Sequence, residues 1–367
     1  WGDLTGIRPT KIPMKLLEEG WKNTEIARYM RETYGVSNEK TALAITIANR
    51  EKALLQDLDY ENGYSLYVGI PFCPSICLYC SFGSHPLERW TKRVDEYLDT
   101  LCKELTFIRE QMGARKLTTV YIGGGTPTTL EPEQLRRLLS HIQETFDFTW
   151  VKEYTVEAGR PDSITREKLQ VMKEFPVTRI SVNPQTMNQK TLDVIGRKHT
   201  VEDTINIFHM ARELEFDNIN MDLIMGLPGE GKEEVAHTLQ EVEKLHPDSL
   251  TIHSLALKRA TRLNLFKDKY EEMSFENSKE IMEMTQQCAE NMGMGPYYLY
   301  RQKNIAGNFE NVGYAEVDKA GIYNILIMEE KQTILAAGAG ASTKFVFEHG
   351  TRIERVENVK DVNNYIL

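Results

Sequence analysis

From residue 64 onward the chain alternates between two rhythms. Short runs rich in β-branched and aromatic residues read as strands, several of them running into turns: YSLYVGI (64–70), LTTVYIGGG (117–125), EYTVEAG (153–159), TRISVNPQ (178–185), NINMDLIMGLPG (218–229) and SLTIHSLAL (249–257). Between them, RVDEYLDTLCKELTFIREQM, PEQLRRLLSHIQETF, REKLQVMKEF, TLDVIGRK followed by EDTINIFHMARELEF, and EEVAHTLQEVEKLH repeat apolar residues every three or four positions and read as helices. Strand–helix alternation of this kind means a parallel sheet with right-handed crossovers, either open or an incomplete barrel. Ahead of it, KIPMKLLEEGW, NTEIARYMRETYG and TALAITIANREKALLQ predict a helical appendage. Beyond residue 257 the rhythm loosens: NSKEIMEMTQQCAENMG reads as a helix, GIYNILIM as a strand, and TILAAGAGASTKFVF as a Gly/Ala-rich turn between apolar segments. The expected organisation is residues 1–63 as the appendage, 64–257 as the strand–helix body, and 258–367 as an α+β extension serving as a substrate or cap region.

In such folds ligands bind at the carboxyl ends of the strands, and the unusual residues gather there. Cys73, Cys77 and Cys80 follow the first strand, and Gly123 to Gly125 the second. Glu157, Gly159 and Arg160 end the third, Asn183 and Gln185 the fourth, and Asp222 lies in the fifth. This convergence predicts one shared site.

Composition changes the picture only by exclusion. With 41% apolar and 27% charged residues the chain is an ordinary globular protein, and a formal charge of −10 without a basic block argues against nucleic acid as a main partner. No apolar run is long enough for a membrane span and no leader pattern is visible. The first residue is Trp1 rather than Met, so a segment of a longer protein is expected. Five cysteines, an odd number and mostly clustered, do not form a disulfide framework; free thiolates fit a reducing cytoplasm.

The cluster itself is GIPFCPSICLYCSFGSHP (69–86), with C-x3-C-x2-C spacing stiffened by Pro71 and Pro74. A 4Fe–4S cube has four iron corners, each wanting a thiolate; three cysteines leave one iron open for a small chelating ligand. The rival is a structural zinc ion held by the three cysteines and His85, five residues past Cys80. Cys102 and Cys288 each lie singly in an amphipathic helix and read as packing residues.

CPSICLYC, with an aromatic residue before the last cysteine, resembles the radical S-adenosylmethionine (SAM) superfamily. That resemblance implies a partial (β/α)6 barrel. It also implies that Cys73, Cys77 and Cys80 hold the cluster and that SAM chelates the open iron and yields a 5′-deoxyadenosyl radical. GGGTPTTL (123–130), which alone reads equally as a tight strand–helix turn, then places Gly124, Gly125 and Thr126 at the SAM amino group. The likeness extends to the oxygen-independent coproporphyrinogen III oxidase family through LYVGIPFC, TVEAGRPD, SVNPQT, IGRKHT and INMDLIMGLPGE, and to its coproporphyrinogen dehydrogenase variant through WGDLTGIRPTK, PYYLYRQKN and NVGY. It implies SAM contacts from Tyr67, Tyr79, Glu157, Gln185, Arg197 and Asp222. The implied reaction removes a β-hydrogen and then carbon dioxide from a propionate, leaving a vinyl group and one electron for an acceptor. A cytosolic donor such as flavodoxin or ferredoxin would feed the cluster.

A tetra-anionic tetrapyrrole needs cations and aromatic faces. PYYLYRQKN offers Tyr297, Tyr298, Tyr300, Arg301 and Lys303, and LALKRAT offers Lys258 and Arg259; the same residues read as a strand with a solvated basic face. FGSHP after the cysteine motif is more like relatives that bind heme, so a heme chaperone on the same scaffold stays open, as does another radical reaction on a tetrapyrrole. GAGAS (338–342) lies where the resemblance implies a second cofactor contact.

Overall fold

Six strands alternate polar and apolar residues strictly enough to give the sheet two unlike faces. The computed structural model describes residues 1–258, 261–265, 267–270, 273–303 and 305–367. Three helices come first: α1 (Lys11–Glu18), α2 (Asn23–Tyr34) and α3 (Asn38–Leu55). The body runs β1 (Gly63–Ile70), α4 (Val94–Met112), β2 (Lys116–Gly124), α5 (Pro132–Thr145), β3 (Glu153–Gly159), α6 (Arg166–Lys173), β4 (Arg179–Val182), α7 (Gln189–Val194), α8 (Val201–Glu213), β5 (Ile219–Met225), α9 (Lys232–Leu245) and β6 (Ser249–Ser254). After it come α10 (Lys279–Asn291), β7 (Gly295–Tyr300), β8 (Asn311–Ala315), α11 (Ile322–Glu329), β9 (Thr333–Ala337), β10 (Ser342–Phe347) and β11 (Arg352–Glu357).

These strands form one sheet in the order β11-β10-β9-β1-β2-β3-β4-β5-β6-β8-β7. The run from β9 to β6 is parallel throughout; β8, β7, β10 and β11 pair antiparallel at the two ends. The six strand–helix units therefore form an α/β partial barrel. It is not closed: β1 and β6 each pair outward with later strands rather than with each other.

One face carries Leu66, Val68, Val120, Ile122, Tyr154, Val156, Ile180, Val182, Met221, Leu223, Leu250 and Ile252, all fully buried under the crossover helices. Successive strand residues point to opposite faces, so the intervening residues share the other one. Tyr67, Tyr121, Thr155 and Arg179 lie in one lateral row through their registered pairing, Glu157, Ser181, Asn220 and Ser249 in a second, and Asp222 and Thr251 continue it one step up. A polar interior facing an apolar exterior is what an enzyme needs and a plain core does not.

GIYNILIM is the one element whose type the sequence misreads: it is α11, not a strand. A short, continuously apolar run cannot be assigned by periodicity, and here the tertiary position decides. The Glu153 carboxylate accepts from the Ile322 and Tyr323 N–H groups at 2.6 and 3.1 Å, satisfying donors at the helix start. Tyr323 then stacks on Tyr121, centroids 4.4 Å apart, and Tyr121 on Tyr67 at 6.1 Å. Helix α11 thus covers the polar face toward the amino ends of the strands.

The leading helices have a small core of their own around Met14, Leu17, Ile26, Met30 and Ala44. They are also tied to the late strands. Arg50 of α3 donates to the carbonyls of Gly295, Ala315 and Glu316 at 2.6 to 3.0 Å.

Candidate functional site

The cysteine loop is held at several points. Phe72 and Cys73 form a short parallel bridge with His85 and Pro86, and the His85 N–H donates to Pro71 O at 2.7 Å, closing the loop at its base. Leu78 N–H donates to Ile195 O at 2.9 Å, Ser75 Oγ to Gly196 O at 3.1 Å, and Leu263 N–H to Leu78 O at 2.9 Å. Arg160, 3% exposed, donates from Nη1 to Ser75 O and Oγ at 2.7 and 2.9 Å and lies 3.6 Å from Cys77 Sγ.

Cys73 and Cys77 are buried, Cys80 is half-buried, and all three are free thiols. Burial pushes the Cys73 and Cys80 thiols up, hydrogen bonds involving Ser84 and, at Cys73, Thr126 pull them back, and the neighbouring cysteines push up again. The three sulfurs therefore share one electrostatic neighbourhood, in which a bound cation would relieve the cost of forming thiolates. Among the described residues no group of three or more His, Cys, Asp or Glu side chains converges as a single-ion site requires; a cubane takes each thiolate at a separate corner. The His85 ring packs edge-on to Trp90 at 5.5 Å. Cys288 is core packing, its thiol raised to about 12 by burial and its Sγ 3.7 Å from Leu239 O; Cys102 is half-buried on α4.

The glycine strip has a local reason first. Gly125 N–H donates to Ile70 O and Thr126 N–H to Phe72 O, both at 2.7 Å, zipping the strip to the cysteine loop. A Cβ on Gly125 would lie 2.6 Å from Phe72 O and 3.0 Å from Cys73 Sγ. Gly124 (φ +108°) would place a Cβ 2.9 Å from the Ile70 backbone. Thr126 Oγ1 donates to Cys73 Sγ at 3.4 Å. The two amides are thus already engaged, while Gly124 itself is exposed.

The other predicted residues meet around the strand ends. Gln185 is a buried non-glycine in left-handed backbone (φ +68°), held by its N–H to Asp222 O and by Ile224 N–H to its own carbonyl, each at 3.0 Å. Such strain persists only where the surroundings over-determine it. Asn220 Nδ2 donates to Asp222 Oδ1 at 2.7 Å and to Ser181 Oγ at 3.0 Å, while its Oδ1 accepts from Ser249 and Thr251 at 3.0 and 3.1 Å. Burial alone would raise the Asp222 carboxyl, but His253, Asn220 and the Arg179 charge hold it below the usual range. Glu157 goes the other way. Burial raises it to about 7, although its carboxylate accepts from Tyr121 Oη, and nearby Asp222 adds to the shift. Arg197 donates to Asn183 O and interacts with the side chains of Tyr79 and Cys77, which outweigh burial and raise its pKa. Burial raises the Tyr67 and Tyr79 hydroxyls.

Tyr298 and Tyr300 share the polar face. Their rings stack at 6.2 Å with 8° between planes, and Tyr300 Oη stands 3.3 Å from His253 Nδ1. The Tyr298 ring lies across Gly313, where a Cβ would be 2.0 Å from a ring carbon. Arg301 does not join them. One position further along, its guanidinium donates to Leu4 O and Asn308 Oδ1, both at 2.8 Å, and its N–H to Ile7 O at 2.7 Å. It clasps the amino-terminal segment instead of presenting a free cation. Tyr297 packs beside Tyr298, ring centroids 4.9 Å apart, with its Oη accepting from Asn324 of α11 at 3.0 Å and its hydroxyl within electrostatic reach of Arg179. Lys303 is exposed, Lys258 lies 5.9 Å over the exposed Phe82 ring, and Arg259 falls outside the described residues. In GAGAS the Gly338 and Ala339 N–H groups donate to Glu104 and to Tyr97 Oη at 2.9 and 3.0 Å, so both donors are used within the protein.

Residues 67–242 match the Radical SAM superfamily. A relative in Bacillus subtilis (strain 168), the oxygen-independent coproporphyrinogen-III oxidase-like protein HemZ, is 44% identical over 369 residues, covering all of this chain and 74% of the relative. The chain belongs to the oxygen-independent coproporphyrinogen III oxidase family. The solved coproporphyrinogen III oxidase HemN of Escherichia coli superposes with a TM-score of 0.66 at 25% identity, over 86% of this chain and 71% of that one. The family also reaches a B. subtilis protein named heme chaperone HemW, 37% identical over 198 residues; this chain spans about half of that relative (52%) and 54% of its own length is covered. Membership of the radical SAM superfamily implies a 4Fe–4S cluster and SAM. Among the described residues no helix is long and apolar enough to cross a membrane.

The residues present fit that cofactor pair. Gln185 Oε1, Arg197 Nε, Thr155 Oγ1 and Arg179 Nε are buried on this side of the sheet without a protein partner. Orphaned buried polar atoms of this kind want a ligand or water. Sequence reasoning gave no role to Asn220, His253, Arg179 or Tyr121. Their signal was the alternation in TVYIG, RISV, INMD and SLTIH, which marks a polar face but not its purpose.

Proposed function

We propose that this chain decarboxylates propionate side chains of coproporphyrinogen III to vinyl groups without oxygen, forming protoporphyrinogen IX. The observation that carries this is the meeting of a three-cysteine loop with a buried polar face at the carboxyl ends of the strands, in a member of this family. Cys73, Cys77 and Cys80 are the cluster ligands in this reading, leaving one iron for SAM. When bound, the pair supplies a 5′-deoxyadenosyl radical able to take a hydrogen atom from a propionate. Gly124, Gly125 and Thr126 form the narrow strip beside the cluster. Asp222, kept ionised, and Gln185 accept from ribose hydroxyls. Arg197 holds a carboxylate through its remaining donors. Tyr67, Tyr79 and Glu157 complete the SAM surround. Tyr298 and Tyr300 present stacked rings to a pyrrole. Buried Arg179 supplies the positive charge that Arg301 does not. Helix α11 keeps water from the face below. No general base would be needed, because hydrogen-atom transfer and loss of carbon dioxide leave no proton to move; the remaining electron would go to a one-electron acceptor, and a donor such as flavodoxin or ferredoxin would supply the cluster that Cys73, Cys77 and Cys80 would hold.

The test is anaerobic turnover with reductant, SAM and coproporphyrinogen III, followed by mass analysis. Two carbon dioxide molecules per protoporphyrinogen IX support the reading. The match to a heme chaperone and the FGSHP segment favour a second one, in which the same scaffold binds heme. Stable heme binding with no carbon dioxide would decide for it, and a linear tetrapyrrole product would decide for another radical reaction.

A further inference from the structure

Arg160 leaves β3 immediately after Gly159 and uses both edges of its guanidinium. Nε and Nη2 fork onto Asp162 Oδ1 and Oδ2 at 3.0 and 2.8 Å. Nη1 faces the cysteine loop, bonding Ser75 twice and standing 3.6 Å from Cys77 Sγ. A planar fork held by a carboxylate is rigid, so the direction of the third nitrogen, Nη1, and its two N–H bonds is set before any ligand arrives. The pair is neutral as a whole, which lets a guanidinium be buried. Its positive edge nevertheless points at the sulfur and its negative edge away.

We propose that the Arg160–Asp162 pair is a positioning device for Cys77 and sets the reduction potential of the cluster that this thiolate would hold. The inference rests on the cluster reading above. Hydrogen bonds to ligand sulfurs and local charge are the protein's main levers on iron–sulfur potentials. A donor aimed at the thiolate stabilises the reduced, more negative cluster and raises its potential. Arg160 is a positioning residue, not a catalytic one: it touches the ligand and not the reacting atoms.

Two substitutions move this dipole in opposite directions. R160Q removes the charged donor. D162N keeps the donor and removes its compensating charge. The full chain and both variants are reconstituted anaerobically with iron and sulfide, and the midpoint of the cluster is measured by redox titration under electron paramagnetic resonance, without SAM or substrate. R160Q should lower the equilibrium constant for reduction about tenfold, or about 59 mV for a one-electron couple, and D162N should raise the midpoint. R160K, which keeps charge without the fork, should fall between the parent and R160Q. Midpoints that stay put, or move in the same direction in R160Q and D162N, overturn the proposal. If R160Q fails to take up iron, D162N decides alone, and a midpoint that does not rise overturns it. A parent chain that takes up no iron and sulfide would sink the cluster reading itself, a result plainly different from loaded variants with equal potentials.

Discussion

Acidification should destabilise this protein through one histidine behind the cysteine loop. His199 has no exposed surface, and neither ring nitrogen has a hydrogen-bond partner in the protein. Burial, then the Arg197 charge, with Arg160 adding and Asp162 opposing, holds its pKa down at about 4 against an ordinary 6.5. The native chain therefore keeps the imidazole neutral, while the unfolded chain takes up a proton as soon as the pH falls below 6.5. In that window the unfolded state binds more protons, so stability falls as pH falls. The contribution is intact above pH 6.5 and exhausted below pH 4. At about 1.4 kcal/mol per pH unit it amounts to about 3 kcal/mol in all. Urea unfolding of the full chain and of H199L, followed from pH 7.5 down to 4.5, measures it. Carboxylates that titrate over the same range act on both chains alike, so the difference between them isolates the histidine. The parent should lose about 2.5 kcal/mol relative to the variant by pH 4.5. Two curves that run parallel would refute the reasoning and would mean that His199 is solvated or paired.

Three further outcomes follow from the same geometry. Glu157, raised to about 7 by burial, costs stability once ionised; E157Q should therefore match the parent's pH behaviour below 4.5 and gain on it up to about 3 kcal/mol above pH 7, and a constant difference in denaturation would contradict this. G313A puts a Cβ 2.0 Å from the Tyr298 ring and should cost about 1–3 kcal/mol by overpacking, visible as a lower urea midpoint; an unchanged midpoint would show that the ring is not across the glycine. G125A, with a Cβ 2.6 Å from Phe72 O and 3.0 Å from Cys73 Sγ, should cut iron uptake while leaving far-ultraviolet circular dichroism unchanged, and full iron content would remove the strip from the cluster's surround.

Local pattern determined much of this protein. The period of two in the strands and of three to four in the helices is set by neighbouring residues, so the strand–helix order could be read directly, and EYTVEAG coincides with β3 from end to end. The cysteine spacing is local too: three thiols within eight residues share a loop whatever surrounds it. What only the tertiary structure decided involves residues far apart in the chain. Arg160 meets Ser75 across 85 positions, and Arg301 meets Leu4 across 297. Tyr300 and Arg301 are adjacent in PYYLYR, yet one faces Asp222 and His253 and the other holds the amino-terminal segment. GIYNILIM becomes a helix because Glu153 waits to cap it and Tyr121 to stack on it. The left-handed backbone of Gln185 follows from its bonds to β5, which no motif encodes. Spacing along a chain prescribes which face a residue takes; the register of one strand against another prescribes what that face meets, and so the chemistry of the site was visible in the sequence as residue types but not as partners.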